Sequence, residues 1–294
     1  MEHPGMPGIR FLLAALLVAL AGVTAGADSP GEPKPFPDLC TMRVETDLFA
    51  DASDEPLARS LTLFHEGVAW DFLEEPVKEA AAHGGMRLVE IVLHDPARER
   101  IVVIDPARRI KTEIPLIRLE RLNVSLARWA SESDDRLVRW AGGADVASGI
   151  EEADGRLDLS GPRVRYAVRH VDAPSPEAAD TYRRFADASI LLRALLQPGG
   201  LPPFPRLALN ARLEDRSAIP AAVTLEIEPR GGLLGGRTER FRSVHRSHPQ
   251  LIAADFVRLE EARQAVAAAE RVGLVSFMTR PGAVREDPES VRPD

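Results

Sequence analysis

Residues 60–72 read SLTLFHEGVAWDF, two short runs hinged at Glu66-Gly67. Apolar residues recur at every second position, the period of a strand, and the Glu-Gly pair suits a two-residue hairpin turn in which glycine supplies positive φ. Setting His65 against Val68 places Leu63 opposite Trp70 and Leu61 opposite Phe72, which makes one face largely apolar. Thr62 then faces Asp71 on the other side, expected to be the outer one. Phe64, opposite Ala69, is an apolar exception there.

Working outward, Leu88–His94, Ile101–Asp105 and Ile110–Ile114 continue the strand pattern. They are separated by Asp95-Pro-Ala-Arg98 and Asp105-Pro-Ala-Arg108, two successive turns with aspartate first and proline second. The run IVVI at 101–104 is apolar on both sides, as in a central strand. Periodicity then changes: Leu116, Leu119, Leu122, Leu126 and Trp129 recur every three or four residues, predicting an amphipathic helix from about Pro115. Leu137, Val138 and Trp140 form a further short piece. Asn123-Val-Ser125 matches a glycosylation sequon, but lies within that helix and is read as chance.

Strands return at Arg156–Ser160 and Arg163–Arg169 around Gly161-Pro162, with Ser160 set against Arg163 and Asp158 against Arg165. Ser175-Pro-Glu-Ala opens a long helix to about Leu196, with serine as cap and proline at the first helical position. A short helix is expected over 206–214, strands at Val223–Ile227 and Arg237–Arg246 (the latter a polar edge strand), a helix over 252–269 and a strand at Leu274–Phe277. Strands gathered in hairpins and interrupted by helices predict an α+β fold with an antiparallel sheet, and exclude the strand-helix alternation of a parallel doubly wound one.

Arg10 precedes the apolar run Phe11–Val23, which ends in Ala25-Gly26-Ala27. This is the pattern of a cleavable signal peptide over residues 1–27, and the run is too short for the roughly 20 residues that span a bilayer. Residues 28–38 are a proline-rich spacer, 39–278 the folded domain and 279–294 a disordered tail. The expected product is periplasmic or secreted, with no transmembrane span after cleavage. Cys40 is the only cysteine, so no disulfide forms within the chain.

Composition narrows the functions. The formal charge is −8, which supplies no global field for nucleic acid, and three tryptophans, two tyrosines and ten phenylalanines make a poor base-stacking surface. Only Lys34, Lys78 and Lys111 are lysines; the excess of arginine has the look of a GC-rich genome and carries no functional weight. HExxH, CxxC and GxSxG are all absent, so zinc-hydrolase, redox and serine-hydrolase readings lack their anchoring residues. Among the six histidines beyond the leader (65, 83, 94, 170, 245, 248) only His245-x-x-His248 is locally paired, and residues three apart on a strand point to opposite faces. Carboxylate pairs such as Glu74-Glu75, Glu151-Glu152 and Asp134-Asp135 are expected by number alone among 45 acidic residues. No catalytic, metal or cofactor residue is assigned.

The signal peptide, the meander SLTLFHEGVAWDF followed by EIVLHDPARERIVVID, and helices set between hairpins together resemble the periplasmic lipoprotein-carrier family, the LolA and LolB type. A likeness to secreted proteins of planctomycete-like bacteria points to the same compartment. The carrier resemblance spans about 42–277 and implies a strongly bent, half-barrel sheet with helices against its concave face and a cavity for acyl chains. Leu61, Leu63, Trp70, Phe72, Ile101 and Val103 from the sheet, with Leu119, Leu122 and Trp129 from the helix, would line that cavity. The expected function is non-enzymatic binding of an apolar or lipid-like ligand. The alternatives are an envelope protein-interaction module with a filled core, using the arginine-rich edge at 237–246, and an enzyme with a non-local site.

Overall fold

Among the described residues twelve strands join in one sheet: β1 (Met42–Ala50), β2 (Ala58–His65), β3 (Val68–Pro76), β4 (Met86–Asp95), β5 (Arg100–Asp105), β6 (Ile110–Pro115), β7 (Ile150–Ala153), β8 (Arg156–Gly161), β9 (Val164–Asp172), β10 (Ala218–Ile227), β11 (Glu239–His248) and β12 (Glu270–Arg271). The computed structural model describes residues 40–50, 53–77, 85–229 and 237–279. The expected leader and spacer, the tail from 280 and His83 lie outside these residues. The sheet order is β12-β6-β5-β4-β3-β2-β1-β11-β10-β9-β8-β7. Two meanders thus lie side by side, joined where β1 pairs with β11, and every pairing is antiparallel except β12 with β6. The end strands β12 and β7 do not pair, so the sheet does not close into a barrel.

Six α-helices are found among the described residues: α1 (Leu116–Ser131), α2 (Arg136–Ala141), α3 (Pro176–Leu196), α4 (Phe204–Glu214), α5 (Ala253–Ala268) and α6 (Leu274–Met278). The fold is α+β, and no helix among the described residues is long and apolar enough to cross a membrane.

Local chemistry sets the turns. Glu66 and Gly67 both have positive φ, 52° and 75°, as a tight hairpin turn requires, and the pairing is His65 with Val68, Leu63 with Trp70 and Leu61 with Phe72. The Asp95 carboxylate accepts the Arg98 backbone N–H at 3.2 Å, and Asp105 accepts that of Arg108 at 2.9 Å. Ser175 caps α3 by accepting the Ala178 N–H at 3.1 Å, with Pro176 next in line.

Four features differ from the sequence expectation. In the β8–β9 hairpin Gly161 pairs with Val164, Ser160 with Arg165 and Asp158 with Ala167, a shift of two residues. Proline favours the first central place of a turn, which puts Pro162-Arg163 at the tip with Arg163 at φ 66°. Strand β11 is central, between β1 and β10, where an edge was expected. Its arginines satisfy themselves on the outer side: Arg240 pairs with Glu226, Arg246 with Glu45 and Asp47, and Arg242 lies over the Phe49 ring. Residues 274–278 form the helix α6, and the strand of this region is the shorter β12 before it.

The fourth difference concerns where the helices lie. One core cluster joins Met42, Val44, Phe64, Val92, Ile101 and Val103 to residues of α1–α4, among them Leu119, Leu137, Phe185 and Leu207. A second joins Leu63, Trp70, Phe72, Ile91, Leu93, Val102 and Ile104 to Leu259 and Ala262 of α5. Helices therefore cover both faces of the sheet around β2–β5. Strands that are apolar on both sides demand this, since either bare face would leave a row of large apolar side chains in water.

Candidate functional site

The β2–β3 register brings a polar belt into the first core. Thr62 and Asp71, expected on an outer face, are buried beside Phe64 and Ala69. Asp71 accepts a hydrogen bond from Thr62 Oγ1 at 2.8 Å and another from Ser60. Next along, Thr46 on β1 lies opposite Ser60, and His245 on β11 lies opposite Thr46. The His245 ring contacts Thr46 Oγ1 at 3.1 Å through Nδ1 and Ser243 Oγ at 2.8 Å through Nε2. The belt thus crosses four adjacent strands, and all six side chains are buried.

Charges from the helices face it. Arg193 of α3 pairs with Glu90 of β4, and Arg206 of α4 is buried within the electrostatic reach of Tyr182, Tyr166 and Asp187. Asn210 donates to Asp187 at 3.2 Å. Burial drives the titrations. It raises the Asp71 carboxyl, against the hydrogen bonds from Ser60 and Thr62, and raises Asp187 well above the usual carboxylate range. It pushes His245 down to about 3, with help from Arg206, and His94 down to about 4. The Tyr166 phenol rises to about 12 and Arg206 falls to about 10 for the same reason.

Chemically the belt is sealed. A Ser243–His245 contact has the groups of a base and a nucleophile, but Ser243 is fully buried and neither ring nitrogen of His245 is left for a substrate. His248 is exposed while His245 is buried, so the pair shares no ligand position. The belt fixes which residues pair beneath α3 and α4, because a slip of any strand would leave these polar groups without partners.

The face under α5 is different. A half-open cavity of about 400 Å³ lies between this helix and the β2–β3 and β4–β5 turns. Val68, Trp70, Leu93 and Val266 supply its apolar lining, and Glu66, Asp95, Arg98 and Arg263 its charges. Those charges are internally matched, Arg263 with Glu66 at 3.2 Å and Arg98 with Asp95 at 2.9 Å. The Trp70 indole N–H is buried and has no acceptor among the described residues.

The nine residues expected to line one cavity are divided by the sheet. Leu61, Leu63, Trp70 and Phe72 lie on the α5 side, and Trp70 alone among the nine lines the cavity. Ile101, Val103 and Leu119 are buried on the opposite side with α1–α4. Leu122 is half-buried and Trp129 is exposed. The division follows from register: Trp70 lies opposite Leu93 and Leu93 opposite Val102, so Val102 and Ile104, not Ile101 and Val103, share the Trp70 face. The run IVVI carries no polar residue to mark which side is which. No spacing in the sequence joins Thr46 to His245, whose strands lie 199 positions apart, and Ser60 and Ser243 stand out only once that pairing puts them in the same core; the Thr62–Asp71 pairing is the visible signal. No protein-family model matches the chain, and no curated protein matches its sequence.

Proposed function

We propose that the chain is an exported, non-enzymatic binding protein of LolA-like architecture that holds an apolar or acyl-bearing ligand in the cavity beneath α5. In this reading the sheet is strongly bent, with α1–α4 on its concave side. The observation that carries it is the cavity itself, with an apolar lining from Val68, Trp70, Leu93 and Val266 and four charged side chains already paired with one another. Its size falls within the few hundred cubic ångströms usual for small-ligand sites, and the paired charges favour an apolar body over an ionic one.

A titration with a dansylated fatty acid tests this. Saturable binding is the expected result, with energy transfer that falls in Trp70→Phe to the part supplied by Trp129 and Trp140. Absence of saturable binding, or transfer undiminished in Trp70→Phe, refutes the placement. The densely packed first core, where Tyr182, Phe185, Leu192 and Leu209 fill the space between α3, α4 and the sheet, supports the second reading of a protein-interaction module.

A further inference from the structure

Helix α1 buries Leu119 and Ala130 and leaves its opposite side bare. At 3.6 residues per turn, Val124, Ile117, Arg128, Arg121, Ser125, Arg118 and Trp129 follow one another around roughly 140° of the helix. All seven are exposed, and the one acid that falls inside the sector, Glu132 at the helix C-cap, is paired with Arg128. The apolar members are strongly so: Ile117 50%, Val124 70% and Trp129 53% exposed. Arg128 reaches Glu132 just beyond the helix at 3.1 Å, while Arg118 and Arg121 have no ion-pair partner among the described residues.

We propose that this face of α1 docks on an anionic lipid surface. Charge complementarity selects the partner: Glu132 is taken up by Arg128, while Arg118 and Arg121 leave the face net positive on a chain of net charge −8, and would turn α1 toward negative headgroups. Geometry selects a bilayer over a folded protein. The apolar side chains are interspersed with arginines and do not form a patch with a polar rim. A bilayer interface accommodates that mixture, taking tryptophan and valine at the headgroup–acyl boundary while arginine stems extend to the phosphates. This surface is distinct from the cavity under α5, and its docking does not depend on a ligand there.

The test is vesicle binding by the full chain, using phosphatidylcholine vesicles with and without phosphatidylglycerol. Binding is expected to need phosphatidylglycerol and to weaken with salt. It should fall about 30-fold in Arg118→Gln/Arg121→Gln, from roughly fivefold per arginine. Brominated acyl chains should quench tryptophan emission in the wild type and much less in Trp129→Phe, which separates docking through α1 from adsorption through the apolar N-terminal run. The substituted side chains are exposed, so the variants should keep the wild-type circular dichroism and melting point. Vesicle binding unchanged in the double variant, quenching that persists in Trp129→Phe, or concentration-dependent dimers that the same substitutions abolish would overturn the proposal.

Discussion

Thr62 donates to the carboxylate of Asp71 at 2.8 Å across the β2–β3 pair, inside the core shared with α3. Burying a carboxylate is costly unless it is hydrogen-bonded, and here Ser60 supplies a second donor. Removing the acceptor is therefore worse than neutralising it. Asp71→Ala strands two buried hydroxyls and should cost about 1–3 kcal/mol, whereas Asp71→Asn keeps an acceptor and should cost less. Urea denaturation of the two variants checks the order; equal or reversed losses would remove the belt from the account.

Acid stability should be governed by the buried histidines. His94 and His245 titrate in the folded chain at about 4 and about 3, against 6.5 as the ordinary value. Between those limits the unfolded chain takes up protons that the native one refuses. Their contribution is thus full above pH 6.5 and is lost as pH falls, at about 1.4 kcal/mol per pH unit for each histidine. Asp71 and Asp187 act in the opposite sense, because their raised values let the native state bind protons first, and they reduce the net slope. Unfolding free energies from pH 7.5 to 5 should decline in the wild type and decline less steeply in His94→Leu. Parallel profiles would show that His94 does not contribute.

The junction of α1 and α2 leaves no room for a side chain at Gly142. A Cβ built there would sit 2.2 Å from the Cβ of Ala130, which is itself fully buried. Gly142→Ala should push the two helices apart and destabilise the protein by about 1–3 kcal/mol. At Gly200 the space around a Cβ is open, so Gly200→Ala is the matched control and should lie within about 0.5 kcal/mol of the wild type. Thermal melts of the pair would decide this, and equal melting points would contradict the packing described.

The parts of the fold that could be read from sequence are those where one local rule decides. Glu66-Gly67 admits a single tight turn and so sets the β2–β3 register; Ser175-Pro176 caps and starts α3. Where two rules competed, the local pattern misled. Gly161-Pro162 resembles a turn, yet proline takes the first central place and shifts the pairing by two. The arginines of β11 look like an edge until Glu45, Asp47 and Glu226 on neighbouring strands are seen to neutralise them. The run 101–104 gives its strand without its facing, and facing is what separates Ile101 from Trp70. The cavity required α5, nearly 200 residues downstream, to be laid over that hairpin, and no spacing in the sequence encodes the distance.

The proposed ligand site is the space bounded by Trp70, Leu93 and Val266. Its most direct test is native mass spectrometry of protein purified without detergent, followed by organic extraction, beside a Leu93→Trp variant that fills the cavity. A stoichiometric apolar or acyl species is expected on the wild type and should be missing from the variant. A wild-type mass matching the polypeptide alone, or the same species retained by Leu93→Trp, would contradict it.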